Sequence, residues 1–254
     1  MKISALTTKL LKSYVEINPA ILVRPGEVLE TVSPAKSILA SAKTDQKFDS
    51  QFSLDDVSKF LGALGLFENP DVEFGERQLT ISEGRQSVNI VYCDVNRIVT
   101  VPEKPPKMPP ADVEFELGAD LLKKARQGQA VLRVPEFVII GDGKDITFGS
   151  EASTNPTTNS FRLKVGETKT KFKAVIRSEN LRVIPDDYKV SVTFKGISYW
   201  AGKTASYFIA IEDNSRFGEE TPARRPAAAA KTAAQERGPR VEVEPELIDE
   251  ETPF

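Results

Sequence analysis

Five of the nine residues from Pro102 to Pro110 are proline, in the stretch VNRIVTVPEKPPKMPP at 95–110. Proline neither donates a ladder hydrogen bond nor continues a helix, and it pushes the preceding residue to extended geometry. The segment therefore reads as a stiff, exposed strap that no helix or central strand can cross. About a hundred residues lie on each side of it, so the fold has to be built as two halves joined there.

Each half reads alike. In the first, Ser4 is a candidate N-cap for a helix over 5–18, with Leu6, Leu10, Leu11, Tyr14 and Ile17 on one arc. Strands are predicted at 21–24, 28–32, 37–42 and 49–54, around a Pro25–Gly26 turn. A second helix follows, with a capping-box pattern in Ser53 and Asp56, then Val57, Phe60, Leu61 and Leu64. Short strands at 72–74, 78–82 and 87–93 close this half. After the strap come a strand at 113–117 and an amphipathic helix over 120–129. Strands follow at 137–140, 146–148, 161–165 and 171–176, with a hairpin turn at Asp142–Gly143. A short helix at 178–184 ends at Pro185, and strands at 188–194, 197–200 and 206–211 finish the sheet. The pattern predicts two tandem α+β units of one topology. The expected boundaries are 1–94, a connector at 95–110, 111–217 and a tail at 218–254.

Little in the residues suggests catalysis. The chain has no histidine and one cysteine, which removes the commonest general base, the Ser-His and Cys-His pairs, the usual zinc sites and any internal disulfide. Cys93 is expected to be buried in a strand. Gly141–Asp142–Gly143–Lys144 has phosphate-loop letters but sits between strands, and Asp142 with Asp145 lacks the spacing and distal Glu of a calcium loop. The pairs Asp55–Asp56 and Asp186–Asp187 read as helix-start and turn acids. No catalytic residue, metal site or cofactor is expected. No run approaches the ~18 apolar residues of a membrane span, and the N-terminus lacks a signal-peptide pattern.

What recurs is one basic side per helix: Lys9 and Lys12 on the first, Lys59 on the second, Lys123, Lys124 and Arg126 on the third, Arg177 and Arg182 flanking the fourth. The net charge of −3 hides this, because 218–254 carries nine acids and five bases, leaving 29 bases and 28 acids in 1–217. If the four helices line one concave surface, these eight side chains form a sequence-neutral phosphate track. No aromatic interleaves them, so stacking on single-stranded bases is not expected.

The opening MKISALTTKLLKSYVEINPAILVRPGEVLETV, the segment FSLDDVSKFLGALGLF and the ending SYFIAIEDNSRF are similar to segments of the sliding clamps (DNA polymerase processivity factors) of T-even-type phages, within the PCNA-like clamp superfamily. The likeness covers roughly 1–217 and lies in order and length more than in identity. It implies two clamp-type domains per chain, each with two helices on the inner wall and antiparallel sheets outside, and a head-to-tail homotrimer around duplex DNA. It implies no catalysis by the ring itself. Further implications are loading by an ATP-driven clamp loader, capture of peptides from DNA polymerase, the loader and late-transcription proteins, and action in the cytoplasm of an infected bacterium. The partner pocket would lie beside the connector and the last strand, mapping onto Ile98, Val99, Val101, Pro102, Phe208, Ala210 and Ile211. Another reading is a phage structural or adaptor protein that uses the tandem folds for protein contacts alone.

The tail departs from that pattern. Its alanine- and proline-rich first part is expected to be disordered, and its last fourteen residues hold six acids and no base. Leu247, Ile248 and Phe254, set among those acids, are expected to compete with partner peptides for the pocket.

Overall fold

The computed structural model describes residues 1–104, 106–153, 159–218 and 221–222, all within one compact unit, Met1–Arg224. The tail predictions, Leu247, Ile248 and Phe254 included, lie outside the described residues.

Helix α1 (Ala5–Val15) starts at Ser4, whose side chain accepts from the Thr7 amide, and it buries Thr7, Leu10, Leu11 and Tyr14. It ends three residues before the predicted limit. Strands β1 (Ile21–Val23), β2 (Gly26–Val32), β3 (Ile38–Phe48) and β4 (Phe52–Leu54) lead into helix α2 (Val57–Leu64). The predicted capping box is not what starts α2. Asp56 is the cap, accepting from the Ser58 amide, while Ser53 lies in β4 and donates its hydroxyl to the Cys93 carbonyl. An aspartate one residue before the helix outcompetes a serine already held in a strand. Strands β5 (Asp71–Phe74), β6 (Gln78–Glu83) and β7 (Gln86–Val91) close the first half as a three-stranded antiparallel sheet. Cys93 falls beyond β7 and is half-buried, not a buried strand residue as expected.

The second half begins with β8 (Val113–Leu117) and helix α3 (Ala119–Leu132), whose first amide bonds to the Asp187 carboxylate at 2.9 Å. Strands β9 (Glu136–Asp142) and β10 (Asp145–Glu151) form the expected hairpin. Asp142 accepts from the Lys144 and Asp145 amides, and Gly143 takes a φ of 95°. Strands β11 (Phe161–Glu167), β12 (Lys171–Arg177), β13 (Tyr188–Thr193), β14 (Ile197–Gly202), β15 (Ser206–Ala210), β16 (Arg216–Phe217) and β17 (Thr221–Pro222) complete the described elements.

The predicted helix over 178–184 shrinks to a single 3-10 turn, Ser178–Asn180. Leu181, Val183 and Ile184 are each 3% exposed, a spacing that a helix could not bury on one side. Their extended backbone instead offers the Leu181 and Val183 carbonyls to Arg126, both at 2.8 Å. The described residues thus carry three α-helices, in an α+β fold of the tandem clamp type.

One six-stranded sheet, β11-β10-β9-β12-β16-β17, belongs to the second half. The other, β2-β3-β15-β14-β13-β8, draws strands from both sides of the strap. Its register sorts residues into two rows. Thr31, Ala40, Tyr207, Trp200, Val190 and Phe115 face the core. Val32, Leu39, Phe208, Tyr199, Ser191 and Glu114 lie on the opposite face.

Gly149 sits where β10 and β11 come closest. A Cβ there would stand 1.8 Å from the Phe161 carbonyl oxygen, a backbone atom that no rotamer change can remove. Gly149→Ala is expected to cost about 2–3 kcal/mol and to lower Tm by about 5–10 °C, measured by calorimetry. An unchanged Tm would show that the two strands separate freely at this point.

Candidate nucleic-acid interface and partner groove

The periodicity that buries one side of α1 and α3 leaves their lysines outward. Lys9, Lys12, Lys123 and Lys124 are all exposed. Lys9 and Lys12, three apart, are neighbours on α1 and border an open groove with Ile3, Ala5 and Thr8. No carboxylate pairs with any of the four among the described residues, so their charge is available to an external anion.

The other four predicted bases are engaged within the chain. Lys59 lies 3.6 Å from Asp55 and 4.0 Å from Asp56 at the start of α2, an exposed arrangement worth little energy but one that neutralises it locally. Arg177 is held by Glu212 at 3.2 Å and Glu179 at 3.5 Å, and Glu212 above all raises its pKa. Arg182 donates Nε to the Glu179 carbonyl at 2.9 Å and Nη1 to the Glu16 carbonyl, tying the second half to the end of α1. Arg126 is half-buried. Burial pushes its pKa down, nearby Tyr188 and Tyr207 oppose that, and its Nη2 is spent on the two carbonyls of 181–183. Its position on the helix edge matched the lysine pattern, but its acceptors lie 55 and 57 residues away, where no periodicity could show them.

On the face of the shared sheet away from the core, Val32, Leu39 and Val101 bury one another, with half-buried Val99 and Phe208 against them. Tyr199 stacks beside Phe208, ring centroids 4.7 Å apart. Of the seven predicted partner residues, Val99, Val101 and Phe208 therefore share one apolar cluster, with Val101 buried in it and Val99 and Phe208 half-buried at its rim. Ile98 and Ala210 are half-exposed outside that cluster and Pro102 is exposed. Ile211 is fully buried in the main core and cannot reach a partner. Val32, Leu39 and Tyr199 escaped sequence reasoning because each is an ordinary alternating strand residue. Only the β3–β15 and β14–β15 pairings bring them to the strap.

Among the described residues, no group of three or more Cys, Asp or Glu side chains is placed to hold a metal ion, and no helix is long and apolar enough to cross a membrane. The gp45 sliding clamp C-terminal family model matches residues 114–213. The sliding clamp of Vibrio phage KVP40 is 27% identical over 219 residues, 84% of this chain and 99% of that protein. The sliding clamp of Enterobacteria phage T4 is 26% identical over 226 residues, 85% of this chain and 98% of its own. The chain is thus similar to the sliding clamps of T4-type phages over most of its length. Its clamp fold extends further: the archaeal PCNA of A. fulgidus, solved with the C-terminal region of FEN-1 bound, superposes with a TM-score of 0.60. At 13% identity, covering 81% of this chain and 94% of that one, that likeness shows the fold alone. A sliding clamp serves DNA replication as a polymerase processivity factor. In this chain the first helix of each half carries the free lysines, and the connector packs Val99 and Val101 into the apolar cluster on the shared sheet.

Proposed function

We propose that the clamp closes as a homotrimeric ring around duplex DNA, with Lys9, Lys12, Lys123 and Lys124 facing phosphates through the hole. The observation that carries this reading is the placement of four uncompensated lysines on the first helices of both halves, while the nearby arginines and Lys59 are engaged internally. Loose, sequence-independent phosphate contacts suit a ring that must slide, because no single contact is tight. The proposal divides the chain into domains at 1–94 and 111–217 with a connector at 95–110. It assigns no catalytic step and no cofactor to the ring, and leaves ATP consumption to a loader.

Ring closure needs two different, complementary edges on each chain. β7 is one free edge, with Val91 68% exposed, and β11 of the second half is another. These are the edges we assign to head-to-tail pairing. Solution mass with electron-microscope images tests it: three chains of 28.0 kDa, about 84 kDa, in closed three-fold rings are expected. Monomers or open helical assemblies would overturn the ring.

The rim of this cluster, where half-buried Val99, Tyr199 and Phe208 remain accessible beside buried Val32, Leu39 and Val101, is the proposed partner groove. It is a docking site for hydrophobic peptides of DNA polymerase, the clamp loader and late-transcription proteins in the cytoplasm of the infected host. Its composition supports this, as apolar side chains between a sheet and an extended strap suit an apolar peptide anchor. The PCNA neighbour, with a C-terminal region of another protein bound, has the same fold.

A further inference from the structure

We propose that Arg24, oriented by Glu30, is a positioning residue for the partner groove, with Asn18 as its second point of support. The inference rests on the groove reading above. The strap has almost no hold of its own. Ile98 donates its amide back to Val95, and the next backbone–backbone bond among the described residues is from Asp112 to Val192. Over that interval the prolines supply no donor.

Side chains take over. Arg24 donates Nη2 to the Val101 carbonyl at 2.8 Å, while its Nη1 lies 3.7 Å from the Glu30 carboxylate. Asn18, 4% exposed, donates its amide to the Val32 carbonyl at 2.9 Å and to the Val99 carbonyl at 3.4 Å. Its Oδ1 accepts from the Ala20 amide at 3.0 Å, which fixes the carboxamide plane. The two latches grip alternate carbonyls, 99 and 101, of an extended segment. The side chains of those same two residues pack on Val32, Leu39 and Phe208. Beyond Val101 the chain emerges, and Pro102, Glu103 and Lys104 are exposed. Arg24 therefore stands where the fixed wall ends and the loose strap begins. Asn18 adds a link from the end of α1 to the same wall.

This arrangement makes the strap a fixed wall and not a lid, and the sign of one measurement separates the two. A fluorescein-labelled C-terminal peptide of the cognate replicative polymerase is titrated against the full-length ring. Arg24→Ala is expected to weaken binding about tenfold, with unchanged solution mass and melting curve, and to speed tryptic cleavage after Lys107, the strap lysine not followed by proline. Arg24→Lys, which keeps one cationic donor, is expected to restore most of the affinity. Glu30→Gln leaves the guanidinium in place but unsteered and is expected to give a smaller loss. Phe208→Ala serves as the control for the groove itself. If Phe208→Ala weakens binding and Arg24→Ala leaves it unchanged, the latch is wrong and the groove stands. If Arg24→Ala tightens binding, the strap is a lid over Val32 and Leu39, and the proposal is overturned. If Phe208→Ala has no effect, the groove falls and the latch with it.

Discussion

A ring carrying K9A, K12A, K123A and K124A together is expected to stay folded and keep its solution mass, yet lose clamp-stimulated processive synthesis about tenfold or more. The four side chains are exposed and bonded to nothing described, so truncation leaves no buried group unsatisfied. What is lost is phosphate neutralisation. Each base that neutralises one phosphate contributes about 0.9 to the slope of log K against log salt, so removing four per chain, twelve per three-chain ring, lowers the slope by up to about 11. Primer extension on a long template, repeated across a salt series, reads both effects. Arg126→Ala makes an informative contrast. It abandons two backbone carbonyls of 181–183, so its effect is expected on the melting curve ahead of the salt slope. Undiminished synthesis by the quadruple variant would remove these lysines from the DNA path.

Trp200→Ala is expected to cost about 3–5 kcal/mol, the largest loss from any single truncation considered. Trp200 is fully buried on the core face of the sheet that spans the strap, with Tyr207 and Val190 as its cross-strand neighbours. Phe148 and Tyr188 meet it edge-on at 6.0 and 5.8 Å, and its indole N–H donates to the Ser198 hydroxyl at 3.1 Å. Against a total stability of about 5–15 kcal/mol, that loss lowers Tm by about 10–15 °C. Circular dichroism is the readout, since the variant loses the chain's one tryptophan. Wild type and variant have to be melted at one concentration, because assembly shifts apparent stability. Trp200→Phe is expected to fall between the two. A Tm within 3 °C of wild type for the alanine variant would mean that the spanning sheet does not hold the halves together.

The elements that sequence reasoning located best are those set by neighbours in the chain. Ser4 starts α1 because its hydroxyl meets the Thr7 amide three residues on, and the Asp142–Gly143 turn closes because Asp142 caps the two amides that follow. The misses share a long-range cause. Ser53 looked like a cap until its pairing with the Cys93 carbonyl, forty residues away, claimed it. The segment 178–184 looked helical until Arg126 offered its carbonyls a better partner.

The basic stripes on α1 and α3, the tandem strand order and the extended run of prolines were all determined by the chain alone. Helical and strand periods and proline's missing N–H act within a few residues. Which bases remain free, and which apolar residues meet at the strap, only the tertiary structure decided. Leu39 reaches Phe208 through a β3–β15 register across 169 residues, and Arg24 reaches the Val101 carbonyl across 77. Those contacts depend on how the two halves pair, and pairing leaves no periodic trace in the residues that make it.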